Sequence, residues 1–226
     1  MIEYTNIEDM FNRMNEANCE YVILRNYDNL LEDEIYMAGH GDIDMLCRDV
    51  KLVVDLIGAE TCRPSLGKMG DYIHFFVMYK GRKVSIDIRS VGDNYYCKEW
   101  EDEILKTRVP HKCFYVMNEE NHVYSLIYHA VFQKPALSGE YQNRLSAMLD
   151  KENMSESQLI DQLEDYMRKK GYYYVFAKDF YVRTRMCMHD KSLLKYTWIE
   201  RWPHIKFDTR VAFIELLVKC KHLLIG

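Results

Sequence analysis

The sequence predicts an α/β (α+β) chain in which a mixed-sheet core is followed by a mostly helical lobe. Three observations lead there. Short β-rich runs, Tyr21-Val22-Ile23-Leu24, Ile43 to Cys47, Tyr72 to Tyr79 and Lys83 to Arg89, all fall in the first half. Helix-start signals at Asn118, Ser138 and Ser155 fall in the second. The 10 Gly and 4 Pro among 226 residues leave no flexible linker, so the chain reads as continuously folded. The boundary is placed near residue 115, giving an α/β core over 1–115 and a mostly helical lobe over 116–226.

The elements follow in order. Ile7, Met10, Phe11 and Met14 recur at helical spacing, with Asn6 as a candidate N-cap. Tyr21 to Leu24 reads as a buried strand, and Asn26 to His40 as a polar loop. In the next run Ile43, Met45 and Cys47 alternate with Asp42, Asp44 and Leu46, which suits a second strand. Asp49 can cap a helix that Gly58 stops. Lys80-Gly81-Arg82 joins the last two β-rich runs as a hairpin. Beyond residue 115, Asn118 and Ser138 each precede a helix. Ser155-Glu156-Ser157-Gln158 is a capping box for a helix ending at Gly171. Tyr172 to Phe176 is β-rich, and Asp208 or Thr209 opens a terminal helix, read as packing on the core rather than anchoring at a membrane surface.

Composition narrows the class. An apolar fraction of 48% is ample for a packed interior. A net charge of −5 lacks the basic excess of a general nucleic-acid binder. No basic segment followed by an apolar stretch opens the chain, and no apolar run approaches the roughly 20 residues that span a bilayer. The seven Cys are odd in number and scattered, with no C-x-x-C pair, as expected for reduced thiols in a cytoplasmic protein. P-loop, dinucleotide-binding, hydrolase-elbow and zincin motifs are all missing.

The chemistry gathers around three carboxylates. On a strand Asp42 and Asp44 project to one face while Ile43 and Met45 point to the other. Two like charges held so close repel, and burial makes that worse. Hard divalent cations such as Mg²⁺ or Mn²⁺ relieve it. Alone, such a pair fits a solvated strand edge equally well. Gly39-His40-Gly41 precedes it, and glycines there would let a phosphate approach the backbone. Asp87, in Ser85-Ile86-Asp87-Ile88-Arg89, adds a carboxylate in the middle of an apolar strand, where a charge needs a partner.

Gly41-Asp42-Ile43-Asp44-Met45 and Ile86-Asp87-Ile88 resemble, in order and type, the motifs of the nucleotidyltransferase superfamily with the polymerase-β-like fold. The resemblance covers roughly residues 5 to 95. It departs at Leu24-Arg25-Asn26-Tyr27, where the family carries a Gly-Gly or Gly-Ser turn, and at Gly41, where it carries Ser or Thr. Ile23 to Tyr27, Gly41 to Leu46, Ile86 to Tyr96 and Leu126 to Lys134 further resemble bacterial nucleotidyltransferase-like proteins associated with surface-polysaccharide genes.

The resemblance implies a metal held by Asp42, Asp44 and Asp87, with Asp87 also a candidate base toward an acceptor hydroxyl. It implies an NTP as substrate, Mg²⁺ or Mn²⁺ as cofactor, and a small-molecule, sugar or glycan acceptor. Arg25 and Arg89 are candidates for phosphate contact, since guanidinium pairs bidentately with phosphoryl oxygens. For Arg89 a salt bridge to a site carboxylate is the alternative. His40 and Gly41 flank the pair, His40 as a phosphate contact or as an exposed loop residue. Asp93 reads as a turn residue, and His129 as structural ahead of Lys134. Tyr95, Tyr96, Tyr128 and Tyr172-Tyr173-Tyr174 read as packing aromatics ahead of a sugar or base pocket. The alternative to an enzyme is a non-catalytic or regulatory protein of this fold, such as an antitoxin-like partner. Oligomeric state is not legible.

Overall fold

A computed structural model describes residues 2–37, 42–61, 74–93, 95–132, 134 and 136–172. In the C-terminal stretch it describes 209, 212–213, 216–217, 220 and 223–224. His40, Gly41, Tyr173, Tyr174 and the remainder of the expected strand after Tyr172 lie outside the described residues, as does Asp208.

Among the described residues the chain is mixed α/β, with eight strands in one sheet and seven helices, the longer ones in the C-terminal half. The order runs β1 (Glu3–Tyr4), α1 (Glu8–Glu16), β2 (Tyr21–Ile23), α2 (Asp33–Met37), β3 (Asp42–Cys47), α3 (Val50–Ile57) and β4 (Glu60–Thr61). It continues with β5 (His74–Tyr79), β6 (Arg82–Ser90), α4 (Lys98–Lys106), β7 (Val109–His111), β8 (Phe114–Val116), α5 (Glu119–Phe132), α6 (Gly139–Met148) and α7 (Glu156–Lys170). Two compact units divide it: Met1–Asp93 with Glu101–His122, and Asn94–Trp100 with Val123–Gly226.

The first unit holds the sheet, ordered β1-β5-β6-β3-β2-β8-β7 with β4 beside β5. Strand alternation places Ile43, Met45, Ile86 and Ile88 on one face. They share a buried cluster with Met10, Phe11 and Met14 of α1 and Val53 and Ile57 of α3. Local signals set the ends. The N-cap of α1 is Ile7, which carries no side-chain cap, rather than the expected Asn6, whose side chain accepts from Glu8 N one residue earlier; Asp49 accepts from Leu52 N as the N-cap of α3. Lys80 and Gly81 both take positive φ, as a two-residue type I′ hairpin needs, and that turn fixes the β5–β6 register.

Gly58 ends α3 with φ 61°, and a Cβ there would lie 2.8 Å from Ile2 Cγ1 and 3.1 Å from Ile2 N. Gly58→Ala therefore meets both a left-handed backbone and a close neighbour. It should cost about 1–3 kcal/mol, read as a lowered urea midpoint at unchanged slope.

The expected polar loop before His40 contains α2, and α4, β1, β4, β7 and β8 add to the elements anticipated from sequence. These strands are two or three residues long, too short for a period to show; β1 and β8 pair with strands far along the chain, and β7 pairs with its neighbour β8. Pro110 sits in β7, the terminal strand of the order, where a missing N–H donor is tolerated.

The second unit is helical. Ser138 caps α6 through Tyr141 N, and Ser155 with Gln158 forms the full capping box of α7, which Gly171 closes in the left-handed conformation. Its interior is aromatic: Trp100 lies against Tyr96, Tyr128, Tyr166 and Tyr172. In the terminal stretch the described residues are helical. Phe213, Leu216, Leu217, Leu223 and Leu224 are exposed rather than packed as expected, so the described part of the fold does not cover them.

Candidate functional site

The sheet brings the three carboxylates to one face. Strands β3 and β6 run parallel in a register that sets Asp44 opposite Asp87 and Asp42 opposite Ser85. Because alternate residues share a face, Asp42, Asp44 and Asp87 project from the side opposite the Ile43/Ile86 core. Asp42 is exposed, Asp87 is half-buried, and Asp44 is only 7% exposed.

Asp44 is the electrostatic centre. Burial pushes its carboxyl above the ordinary aspartate range, the Arg25 guanidinium pulls it back, and the charges of Asp42 and Asp87 raise it again. The carboxylates therefore feel one another. Arg25 answers with a fork: Nε donates to Asp44 Oδ2 and Nη2 to Oδ1, each at 2.8 Å, and both side chains are largely buried. The backbone at this point is tied down as well, since Leu24 N donates to Asp44 O at 2.8 Å, just beyond the end of β2. Asn26, the next residue after Arg25, has φ 56° and turns the chain away.

One site residue was missed in the sequence. His74 pairs across the β5–β6 ladder with Asp87, and its Nδ1 lies 2.7 Å from Asp87 Oδ1. The signal was present. A two-residue turn at Lys80-Gly81 places Tyr79 opposite Arg82, and counting back along both strands lands His74 on Asp87.

Arg89 stands opposite Leu46 in the β3–β6 register and ion-pairs with Asp93 at 3.1 Å. Asp93 is a turn residue: its N donates to Ser90 O, and Gly92, at φ 90°, donates its N–H to the fully buried Glu101. His40 and Gly41 lie outside the described residues. In the second unit His129 is buried beside the Tyr141 ring, Lys134 is exposed, and Tyr95, Tyr96, Tyr128 and Tyr172 are buried among one another and Trp100. Packing accounts for these aromatics.

The donor set tests the implied cation. Three carboxylates on one sheet face offer the hard oxygen ligands that Mg²⁺ or Mn²⁺ takes, and their mutual repulsion is what such an ion relieves, so the donor chemistry fits. In the conformation described, however, Asp44 is neutralised by a guanidinium. Among the described residues no group of three His, Cys, Asp or Glu side chains is disposed to hold a metal ion. Nor, among them, is any helix long and apolar enough to cross a membrane.

No family model matches the chain, and neither does any curated protein. In structure it is similar to an antigenic nucleotidyltransferase-like protein from Paracoccidioides brasiliensis, at 13% identity and a TM-score of 0.42, over 73% of this chain and 86% of that one. A likeness at that level names no family for this chain.

Proposed function

We propose that this chain is a magnesium-dependent nucleotidyltransferase, passing a nucleotidyl or phosphoryl group from an NTP or nucleotide-activated donor to a small-molecule, sugar or glycan acceptor. The observation that carries this reading is the parallel register of β3 and β6, which aligns Asp44 with Asp87 and places Asp42 on the same face. The sequence motifs around these residues support it, and so does the electrostatic coupling of Asp44 to both partners.

In this reading Asp42, Asp44 and Asp87 would hold a divalent cation, whose charge would offset that of the phosphates. Asp87 takes the proton from the acceptor hydroxyl as its oxygen attacks phosphorus and the pyrophosphate or nucleotide leaving group departs. Arg25 and Arg89 bind phosphoryl oxygens, and His74 holds the Asp87 carboxylate in place. Cys19, Cys47, Cys113 and Cys220 carry no disulfide, which suits a cytoplasmic protein.

Mg²⁺ with one of the NTPs should raise the melting temperature, and Asp42→Ala with Asp44→Ala should abolish the rise. No shift with any NTP or nucleotide sugar would sink the proposal. A screen for pyrophosphate release over candidate acceptors then separates enzyme from binder. A non-catalytic or regulatory protein of the same kind is the second reading, favoured by one observation: both Asp44 oxygens are engaged by Arg25.

A further inference from the structure

We infer that Arg25 is the resident counter-cation of the carboxylate site, and that a divalent cation and the Arg25 fork compete for the two oxygens of Asp44. The inference rests on the reading of Asp42, Asp44 and Asp87 as cation ligands, and it concerns how that site is gated.

Both Asp44 oxygens accept from the guanidinium, through Nε and Nη2 at 2.8 Å each, in the planar two-bond geometry that makes such pairs strong. The pair is largely screened from water, so its attraction is little weakened by solvent. The site meanwhile carries two further carboxylates whose charge reaches Asp44. A single positive guanidinium thus sits where a divalent ion would gain most. Ion and guanidinium want the same oxygens, and they repel each other at that distance.

Linkage makes the competition reciprocal: whatever the fork costs the metal in affinity, the metal costs the fork. Leu24 N donates to Asp44 O, and the turn at Asn26 begins immediately after Arg25, so the backbone holds both partners of the fork together at the end of β2. Once released beside a cation-loaded carboxylate cluster, the guanidinium is a bidentate donor suited to a phosphoryl anion. The geometry thereby orders binding. The cation would bind first, and the phosphate would take the arginine so freed.

The test uses Mn²⁺ alone, without nucleotide, titrated by electron paramagnetic resonance into wild-type protein and into Arg25→Met, Arg25→Lys and Asp44→Asn. Arg25→Met should bind Mn²⁺ about tenfold or more tightly than wild type, the scale of one lost charge-assisted pair, with Arg25→Lys between them and Asp44→Asn weakest. If both Arg25 variants bind no more tightly while Asp44→Asn still weakens binding, the competition is overturned and the metal site stands. If Asp44→Asn changes nothing, Asp44 is no ligand, and the site reading falls together with the inference.

Should Arg25→Met fail to fold, the wild-type protein decides. In ¹⁵N-arginine-labelled wild type, saturating Mg²⁺ should accelerate exchange of the Arg25 Nε–H with water as it leaves the buried fork. Unchanged exchange at a Mg²⁺ level that shifts the Asp44 resonances would overturn the inference.

Discussion

Arg25→Ala should lower the unfolding free energy by about 3 kcal/mol at neutral pH, the low end of the cost of breaking a buried ion pair, because both partners keep a little exposure. The cost lies in what is left behind. Without the guanidinium, Asp44 is a buried carboxylate facing the charges of Asp42 and Asp87, with the positive charge that held its pKa down removed. The pH dependence has a definite sign. A carboxyl whose folded pKa stands above its unfolded value binds protons more readily in the native state, so the unfolded state holds fewer protons between the two values. Stability therefore rises as pH falls through the folded pKa of Asp44. In Arg25→Ala that pKa climbs further, so the deficit relative to wild type should shrink on acidification from pH 7. Chemical denaturation of both proteins across that range checks it. A deficit that does not change with pH would mean the loss is one of packing and not of charge. On the proposed reading Mg²⁺ should also restore part of the lost stability, since it would neutralise the same carboxylates.

The second large effect belongs to the helical unit. Trp100 is fully buried, with ring centroids 4.7 Å from Tyr96, 5.5 Å from Tyr166 and 5.9 Å from a stacked Tyr172. Trp100→Ala removes the largest of these rings and leaves its aromatic neighbours lining a void that they fill only in part. The expected loss is about 3–5 kcal/mol. Trp100→Phe keeps an apolar ring in place and should lose clearly less. Equal losses for the two variants would show that the indole is held by a polar contact and not by volume. Both losses are read as denaturant midpoints at unchanged slope.

Helix ends were legible because capping is local. Asp49, Ser138, Ser155, Gly58 and Gly171 act within a few residues of themselves, and each sits where its side chain or its left-handed backbone is needed. The hairpin at Lys80-Gly81 was legible for the same reason. Short strands such as β1 and β8 were not, since two or three residues carry no period and each pairs with a strand far along the chain, β1 with β5 and β8 with β2. Helix α2 was hidden by its length, since five residues are too few to show a helical period, although Ile35 and Tyr36 pack toward the core.

The candidate site divides along the same line. The sequence by itself determined that Asp42 and Asp44 share a strand face and that Asp87 lies in an apolar strand, because alternation is a property of the strand alone. Only the tertiary structure decided that β3 and β6 are parallel neighbours with Asp44 opposite Asp87, that His74 bonds Asp87, and that Arg25 closes on both oxygens of Asp44. Register between distant strands and the choice of partner for a buried charge are set by what the whole sheet brings together. No local pattern encodes that a site read as awaiting a cation already holds a positive charge.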